Sequence, residues 1–226
     1  MPKQERKLII IGDSAFAEVA YELFSHDSNY KVVGFAVEKD FLKRDNLFGL
    51  PVIALEKIEQ IFPCDTHDAF VAIVYTKLNR LRTRLAQNVK SLGYSLASYV
   101  SSNANVWKNV IFGEHCFVFE NNTIQPFVEI GNNVILWSGN HIGHHSIIKD
   151  NVFVSSHVVI SGFCEIGDNC FLGVNSTFAN NIIVAKDCWI GPSALITKNT
   201  QEDQIYRADS PFPAKIGASR FFKARD

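Results

Sequence analysis

The chain has 226 residues, enough for one large or two modest domains, and its net charge of -1 argues against a broad surface for nucleic acid or an anionic membrane. No apolar run reaches eighteen residues and the first six residues are too polar for a signal peptide, so the expectation is a cytoplasmic protein with no membrane insertion. Four of the five cysteines (Cys116, Cys164, Cys170 and Cys188) share one position of a sequence repeat, and Cys64 lies outside it. That regularity reads as small core residues rather than disulfides or metal ligands.

In chain order, Lys7–Gly12 is a short apolar run ending in glycine, as in a buried parallel strand, and Ser14–Phe24 reads as a helix capped by Asp13 or Ser14. Lys31–Val37 is a second strand, followed by the polar Glu38, Lys39 and Asp40. Leu55–Ile61 is a short helix and Phe70–Tyr75 a buried strand. Leu78–Leu92 is a basic amphipathic helix stopping at Gly93, and Ser95–Val100 leads onward. Alternating strands and helices predict a small Rossmann-like parallel sheet over residues 1–98 with right-handed crossovers. Ligands of such sheets bind beyond the strand C-termini, which here carry Gly12, Asp13, Ser14, Glu38, Lys39, Tyr75, Thr76 and Lys77. Gly12–Ala17 keeps only the first glycine of a G-x-G-x-x-G fingerprint. A nucleotide diphosphate resting on the helix N-terminus therefore fits better than a standard dinucleotide site, the alternative being a helix cap with no ligand.

From Val100 to Ile196 an apolar residue falls on every sixth position without a miss, seventeen in one phase. Chance would give this on the order of once in 10⁵ chains. The period belongs to a parallel β-helix of hexapeptides, three to a triangular coil, over residues 99–200. The fourth residue after each anchor is mostly small or β-branched, as a narrow interior needs. Glycine directly follows the anchor at Gly113, Gly131, Gly143, Gly167, Gly173 and Gly191, where a corner could use its freedom of φ. No insertion breaks the phase. Residues 201–226, with Pro211 and Pro213, read as a cap on the last coil.

Four of the seven histidines, His141, His144, His145 and His157, lie within seventeen residues. By register, His144 and His145 are second and third after the anchor Ile142, at a corner and pointing outward. A lone corner histidine is often merely solvated; four together point toward chemistry.

The hexapeptides Ile142-Gly-His144-His145-Ser-Ile, Val154-Ser-Ser-His-Val-Val, Ile160-Ser-Gly162-Phe-Cys-Glu and Leu172-Gly-Val-Asn175-Ser-Thr resemble the hexapeptide-repeat sugar-nucleotide acetyltransferases. The group concerned N-acetylates UDP- or dTDP-linked amino sugars, as in bacillosamine biosynthesis, and sialic-acid O-acetyltransferase-like proteins share its plan. The resemblance covers nearly the whole chain. It implies a nucleotide-binding Rossmann-like half, a left-handed parallel β-helix, and homotrimers with active sites between subunits. It also implies acetyl-CoA as co-substrate, with no metal expected. The catalytic base falls on His144. The next position, a carboxylate in the bacillosamine-type enzymes, is His145 here. The backbone N–H that polarises the thioester falls on Gly162. Coenzyme A is implied beside Gly162, Asn175, Lys198 and Lys215, the last within Pro213-Ala214-Lys215, and His141 beside the acceptor. An amine attacking a thioester needs a base and an oxyanion donor, so direct transfer in a ternary complex is the expected chemistry. The alternatives are O-acetylation of a sugar hydroxyl on the same fold, a zinc hydratase resembling the γ-carbonic anhydrases, and a non-catalytic binding protein. The first 98 residues are expected to be separable from a prism that stays soluble without them.

Overall fold

The computed structural model describes residues 6–208, 215 and 218–221. β1 (Arg6–Ile11) is an interior strand of a five-stranded sheet. Its apolar run is buried on both faces: Leu8 and Ile10 join one core cluster, Ile9 and Ile11 another. This is why the strand reads as continuous rather than alternating. α1 (Ala15–His26) packs on one face, and β2 (Tyr30–Val37) pairs parallel to β1. A hairpin the sequence reading lacks follows, β3 (Asn46–Leu47) and β4 (Leu50–Ala54), the only antiparallel pair in the sheet. Its two turn residues, Phe48 and Gly49, have φ of 53° and 77°, the left-handed pair that a tight hairpin turn requires. The short helix α2 is Ile58–Ile61. β5 (His67–Val71) completes the order β3-β4-β2-β1-β5.

Two boundaries differ from the sequence reading. β5 ends at Val71, and α3 (Arg80–Ser91) begins two residues after Leu78. Between them Lys77, Leu78 and Asn79 adopt φ of 52°, 51° and 65°. Tertiary contact explains this unusual run: Asn79 Nδ2 donates to the backbone carbonyls of Asn151 (2.7 Å) and Cys170 (3.2 Å) in the second half of the chain.

That second half is a triangular parallel β-helix. Its strands are two residues long and pair with the strand eighteen residues on, as Thr123–Ile124 with His141–Ile142, except for the last pair, Trp189–Ile190 with Ile205–Tyr206, sixteen apart; they form sheets of six, five and seven strands. The anchors from Val118 onward are buried, as are Cys116, Cys164, Cys170 and Cys188, all of them free thiols. Val100 is instead 40% exposed, and Val106 and Phe112 are only partly buried, because no coil lies beneath the first one.

The glycines act differently from the expectation. From Phe112 to Ile190 the left-handed corner residue is the third after each anchor, as at Asn133, His145, His157 and Phe163. Glycine after the anchor answers close approach between coils instead: a Cβ on Gly143 would lie 2.5 Å from the carbonyl carbon of Ser161. Beyond Ile196, Ile205–Tyr206 adds one more strand to the seven-stranded sheet. Pro211, Pro213 and most of the expected cap lie outside the described residues. Among the described residues no helix is long and apolar enough to cross a membrane.

The two halves share one core, which corrects the expectation of separable halves. The outward residues of the seven-stranded sheet, Phe117, Ile135, Phe153 and Phe171, are buried in one cluster with Phe16, Phe24 and Phe70. Truncating one such phenylalanine costs about 3–5 kcal/mol, so a prism stripped of residues 1–98 would expose a large apolar face. A polar pin lies beside this core. Arg82 on α3, within the helix read from sequence as basic and amphipathic, is 2% exposed. It donates to the carbonyls of Asn133 (2.6 Å), His115 (3.0 Å) and Val71 (3.3 Å). Burial pulls its pKa down to about 9, so it stays charged at neutral pH, compensated by carbonyl dipoles. His115, fully buried, accepts the Val71 N–H on Nε2 at 2.9 Å and holds Asn133 Oδ1 at 2.8 Å on Nδ1. This pairing makes it the neutral Nδ1–H tautomer.

Burial, and secondly the Arg82 charge, hold the His115 pKa well below its usual range. The unfolded chain protonates this ring below about pH 6.5 while the native ring stays neutral. Stability from His115 is therefore complete above that pH. It falls by about 1.4 kcal/mol per pH unit below it, until the native ring also protonates. Urea unfolding between pH 7.5 and 5 is expected to show this loss. His115→Asn should lower stability at pH 7.5 and flatten the slope by that amount; an unchanged slope would place the acid sensitivity elsewhere.

Candidate active site

His144 and His145 follow the strand His141–Ile142 and precede Ile147–Ile148. They occupy the edge between the six- and five-stranded sheets, which is the edge opposite the sheet that docks on the N-terminal half. Both are exposed, as the register predicted. Their Nδ1 atoms lie 3.1 Å apart, and the His144 N–H donates to Gln125 Oε1 at 2.9 Å. His145 has a left-handed backbone, φ 58°. Its ring is stacked between Phe127 (centroids 4.6 Å) and Phe163 (4.8 Å), the residues eighteen before and eighteen after it. His144 meets Phe163 edge-on at 5.0 Å.

One coil above His144 is Gly162. A Cβ there would sit 2.9 Å from His144 Cε1, so the absence of a side chain makes room for the imidazole. The same register position continues to Asn180 and Lys198, a line of about 14 Å over three coils at ~4.8 Å each. In the structure the Gly162 N–H is not a free donor: it donates to Asn180 Oδ1 at 3.0 Å. The same device recurs elsewhere along the prism, as between Asn132 N–H and Asp150 Oδ1. An oxyanion could use Gly162 only by displacing the Asn180 amide.

The other histidines are dispersed. His141 projects from a strand of the six-stranded sheet, half-buried. His157 lies on a different edge, its ring over Gly139, where a Cβ would be 2.6 Å from Nδ1. Asn175 is also on that edge, exposed, with φ 58°. Lys215 is exposed, and its neighbours Pro213 and Ala214 lie outside the described residues. Among the described residues no group of three His, Cys, Asp or Glu is placed to hold a metal ion.

A second site lies at the C-terminal edge of the sheet. Gly12, Asp13, Ser14 and Glu38 converge on a cavity of about 170 Å³ walled by Ile73, Leu81 and Leu85. Gly12, with φ 123°, has its Cβ position 3.0 Å from the Ala72 carbonyl oxygen, a conformation and a clearance that suit glycine. The Ser14 side chain makes no capping bond to α1, so the helix start is left to backbone donors. Glu38 is held by both terminal nitrogens of Arg84 at 2.8 Å, which keeps its carboxyl below the usual range. Arg44 reaches Asp13 at 3.5 Å. Lys39, Thr76 and Lys77 do not line this cavity. Tyr75 stands apart, packed on Phe153 (5.1 Å) and Phe171 (4.7 Å), where it divides two clefts of about 480 and 460 Å³. Sequence reading missed Gln125, Phe127, Phe163, Asn180, Arg44 and Arg84. Phe127, Phe163 and Asn180 share register positions with His144 or His145, a signal the eighteen-residue spacing carries; Gln125, one position off that register, and the two arginines have no such signal.

Residues 128–162 and 145–180 match the family model of the bacterial transferase hexapeptide (six repeats). No curated protein matches the chain by sequence. Among solved structures, the acetyltransferase domain of PglB from Neisseria gonorrhoeae has a TM-score of 0.79 at 22% identity, covering 88% of this chain and 95% of its own. It has also been solved in complex with acetyl coenzyme A. A mutant of perosamine N-acetyltransferase from Caulobacter crescentus, in complex with CoA and GDP-perosamine, has a TM-score of 0.79 at 21% identity over 88% and 92% of the two chains. WeeI from Acinetobacter baumannii has a TM-score of 0.66 at 19% identity, over 89% and 94%. The chain therefore carries the transferase hexapeptide repeat in the two-part fold of these proteins, a Rossmann-like sheet followed by a left-handed parallel β-helix.

Proposed function

We propose that this protein is an acetyl-CoA-dependent N-acetyltransferase acting on the amino group of a nucleotide-diphosphate-linked amino-deoxysugar. The observation that carries the reading is the His144 corner: an exposed imidazole, its Nδ1 engaged by a neighbour, lies over a glycine on an otherwise uninterrupted hexapeptide prism. The solved proteins of this fold with CoA, acetyl coenzyme A and GDP-perosamine bound support the choice of ligands.

His144 Nε2 takes the proton of the attacking amine as the nitrogen–carbonyl bond forms; collapse breaks the carbon–sulfur bond, and the proton returns to the coenzyme A thiolate. Gly162 N–H, once the Asn180 amide turns away, is the proposed oxyanion donor, a role worth about 3–4 kcal/mol in comparable sites. Coenzyme A lies along the edge from Gly162 toward Lys198, and Asn175 and Lys215 are its proposed outer contacts. The nucleotide diphosphate sits at Gly12, Asp13 and Ser14, with Glu38 on the ribose. His141, Lys39, Tyr75, Thr76 and Lys77 are the proposed contacts to the sugar.

The two sites lie on opposite sides of the prism, so one chain cannot bring its own nucleotide pocket to its own His144. A homotrimer, in which the edge of one copy faces the nucleotide half of the next, supplies the missing proximity. The protein works as a cytoplasmic trimer in this reading.

His144→Asn is expected to lower kcat by at least about 10², the scale for losing a general base; a variant within threefold of wild type removes His144 from the role. Gly162→Ala should leave Tm nearly unchanged, because the exposed ring can swing away, while kcat falls at least tenfold. Glu38→Ala should raise KM for the nucleotide sugar and leave KM for acetyl-CoA alone. Steady-state kinetics with both substrates varied separates these outcomes.

A further inference from the structure

The two rings at the corner are joined nitrogen to nitrogen, and this constrains where their protons lie. Two Nδ1 atoms 3.1 Å apart form a hydrogen bond only when one carries a proton and the other a lone pair. With the proton on His144, its Nε2 lone pair faces outward and can accept; His145 then carries its own proton on Nε2. With the proton on His145 Nδ1, His144 is forced into the Nε2–H form and has no basic nitrogen to offer.

His145 is unusually well held for an exposed side chain. Phe127 and Phe163 cover both faces of its ring, with interplanar angles of 24° and 16°, and its left-handed backbone fixes where the ring leaves the corner. We infer that His145 is the positioning residue for His144, a neutral imidazole clamped between two aromatic rings that accepts the His144 Nδ1 proton where the resembled enzymes use a carboxylate. The inference rests on the proposed function for its kinetic consequences, though not for the proton arrangement itself.

When His144 takes the amine proton, the new imidazolium keeps its Nδ1–H on the His145 lone pair as a charge-assisted bond. No proton is transferred to His145, and the proton on His144 Nε2 passes on to the departing thiolate. A proton added to His145 in the resting enzyme has the opposite effect, because its Nδ1–H then occupies the contact and switches His144 to the unproductive tautomer. The groups that touch the pair, Gln125, Phe127, Gly162 and Phe163, carry no charge. Of the titratable side chains on the strands at the corner and those paired beside the leaving strand, His141 stands on the entering strand, Lys149 just after the leaving one, and Glu129 and Glu165 on its two neighbours, Lys149 and Glu165 being paired at 2.5 Å. Among the described residues no carboxylate is hydrogen-bonded to His144.

The direct test is nitrogen NMR of the full-length protein with ¹⁵N-histidine at pH 8, assigned by His144→Asn and His145→Phe. The expected result is a protonated Nδ1 on His144 and an unprotonated Nδ1 on His145; the reverse assignment overturns the inference whether or not the protein is active. The kinetic test uses two variants. His145→Phe preserves the stack and removes the acceptor, and should lower kcat at least tenfold with KM for acetyl-CoA unchanged. His145→Glu should recover at least tenfold over the Phe variant. A Phe variant within threefold of wild type, or a Glu variant no better than Phe, overturns the inference. A wild-type protein that transfers no acyl group overturns the proposed function instead, and the tautomer assignment still decides the contact.

Discussion

Parallel pairing at a spacing of eighteen residues is the constraint on which this molecule depends. Each strand residue of the prism has its partner eighteen positions along directly above it, so a choice made once in sequence is repeated as a line in space. The interior lines are Val, Ile, Leu and Cys; the left-handed corners are lines of Asn, His and Phe. His145 is stacked by Phe127 and Phe163, and His144 has Gly162 above it, because sequence position and height are the same variable here. A single-residue insertion between His145 and Gly162 would move Gly162 and Phe163 out of register with His144 and His145.

The second dependence is between the halves. One face of the prism is aromatic on its outside, and α1 and the sheet close over it. Arg82, His115 and Asn133 then tie α3 and β5 to a corner with bonds that tolerate little displacement. The rigidity has a consequence for function. The cavity at Gly12–Ser14 and the histidine edge are fixed on opposite sides of one chain, which is why the proposed reaction is placed between neighbouring copies rather than on hinge motion. The left-handed run at Lys77–Asn79, anchored on the carbonyls of Asn151 and Cys170, holds Tyr75 against the same aromatic face.

Much of this was legible in the sequence. The hexapeptide phase is visible because buried anchors cannot be polar, and it correctly placed His144 and His145 at an outward corner and four cysteines inside. The glycines misled because close backbone approach and positive φ leave the same residue in the chain; only the dihedrals distinguish Gly143 from His145. The β3–β4 hairpin was hidden by strands of two and five residues with little alternation. The burial of Arg82 was hidden because its compensation comes from carbonyls eleven to fifty-one residues away, which no local pattern records. The resemblance puts the oxyanion donor on the Gly162 N–H, and nothing local in the sequence shows that the Asn180 side chain occupies it. Phe117, Ile135, Phe153 and Phe171 could have been read as a docking face, since they recur at eighteen residues just before their anchors. Their value depended on having something to bury against, which the repeat alone does not specify.

Coenzyme A release, followed by thiol titration with acetyl-CoA and a panel of UDP-, dTDP- and GDP-linked amino-deoxysugars, tests the central claim most directly. Rapid release with one amino sugar and none with its hydroxyl counterpart is the result this account requires. Release only with the hydroxyl sugar would assign O-acetylation to the same corner, and silence across the panel with no coenzyme A bound would contradict the acyltransferase reading altogether.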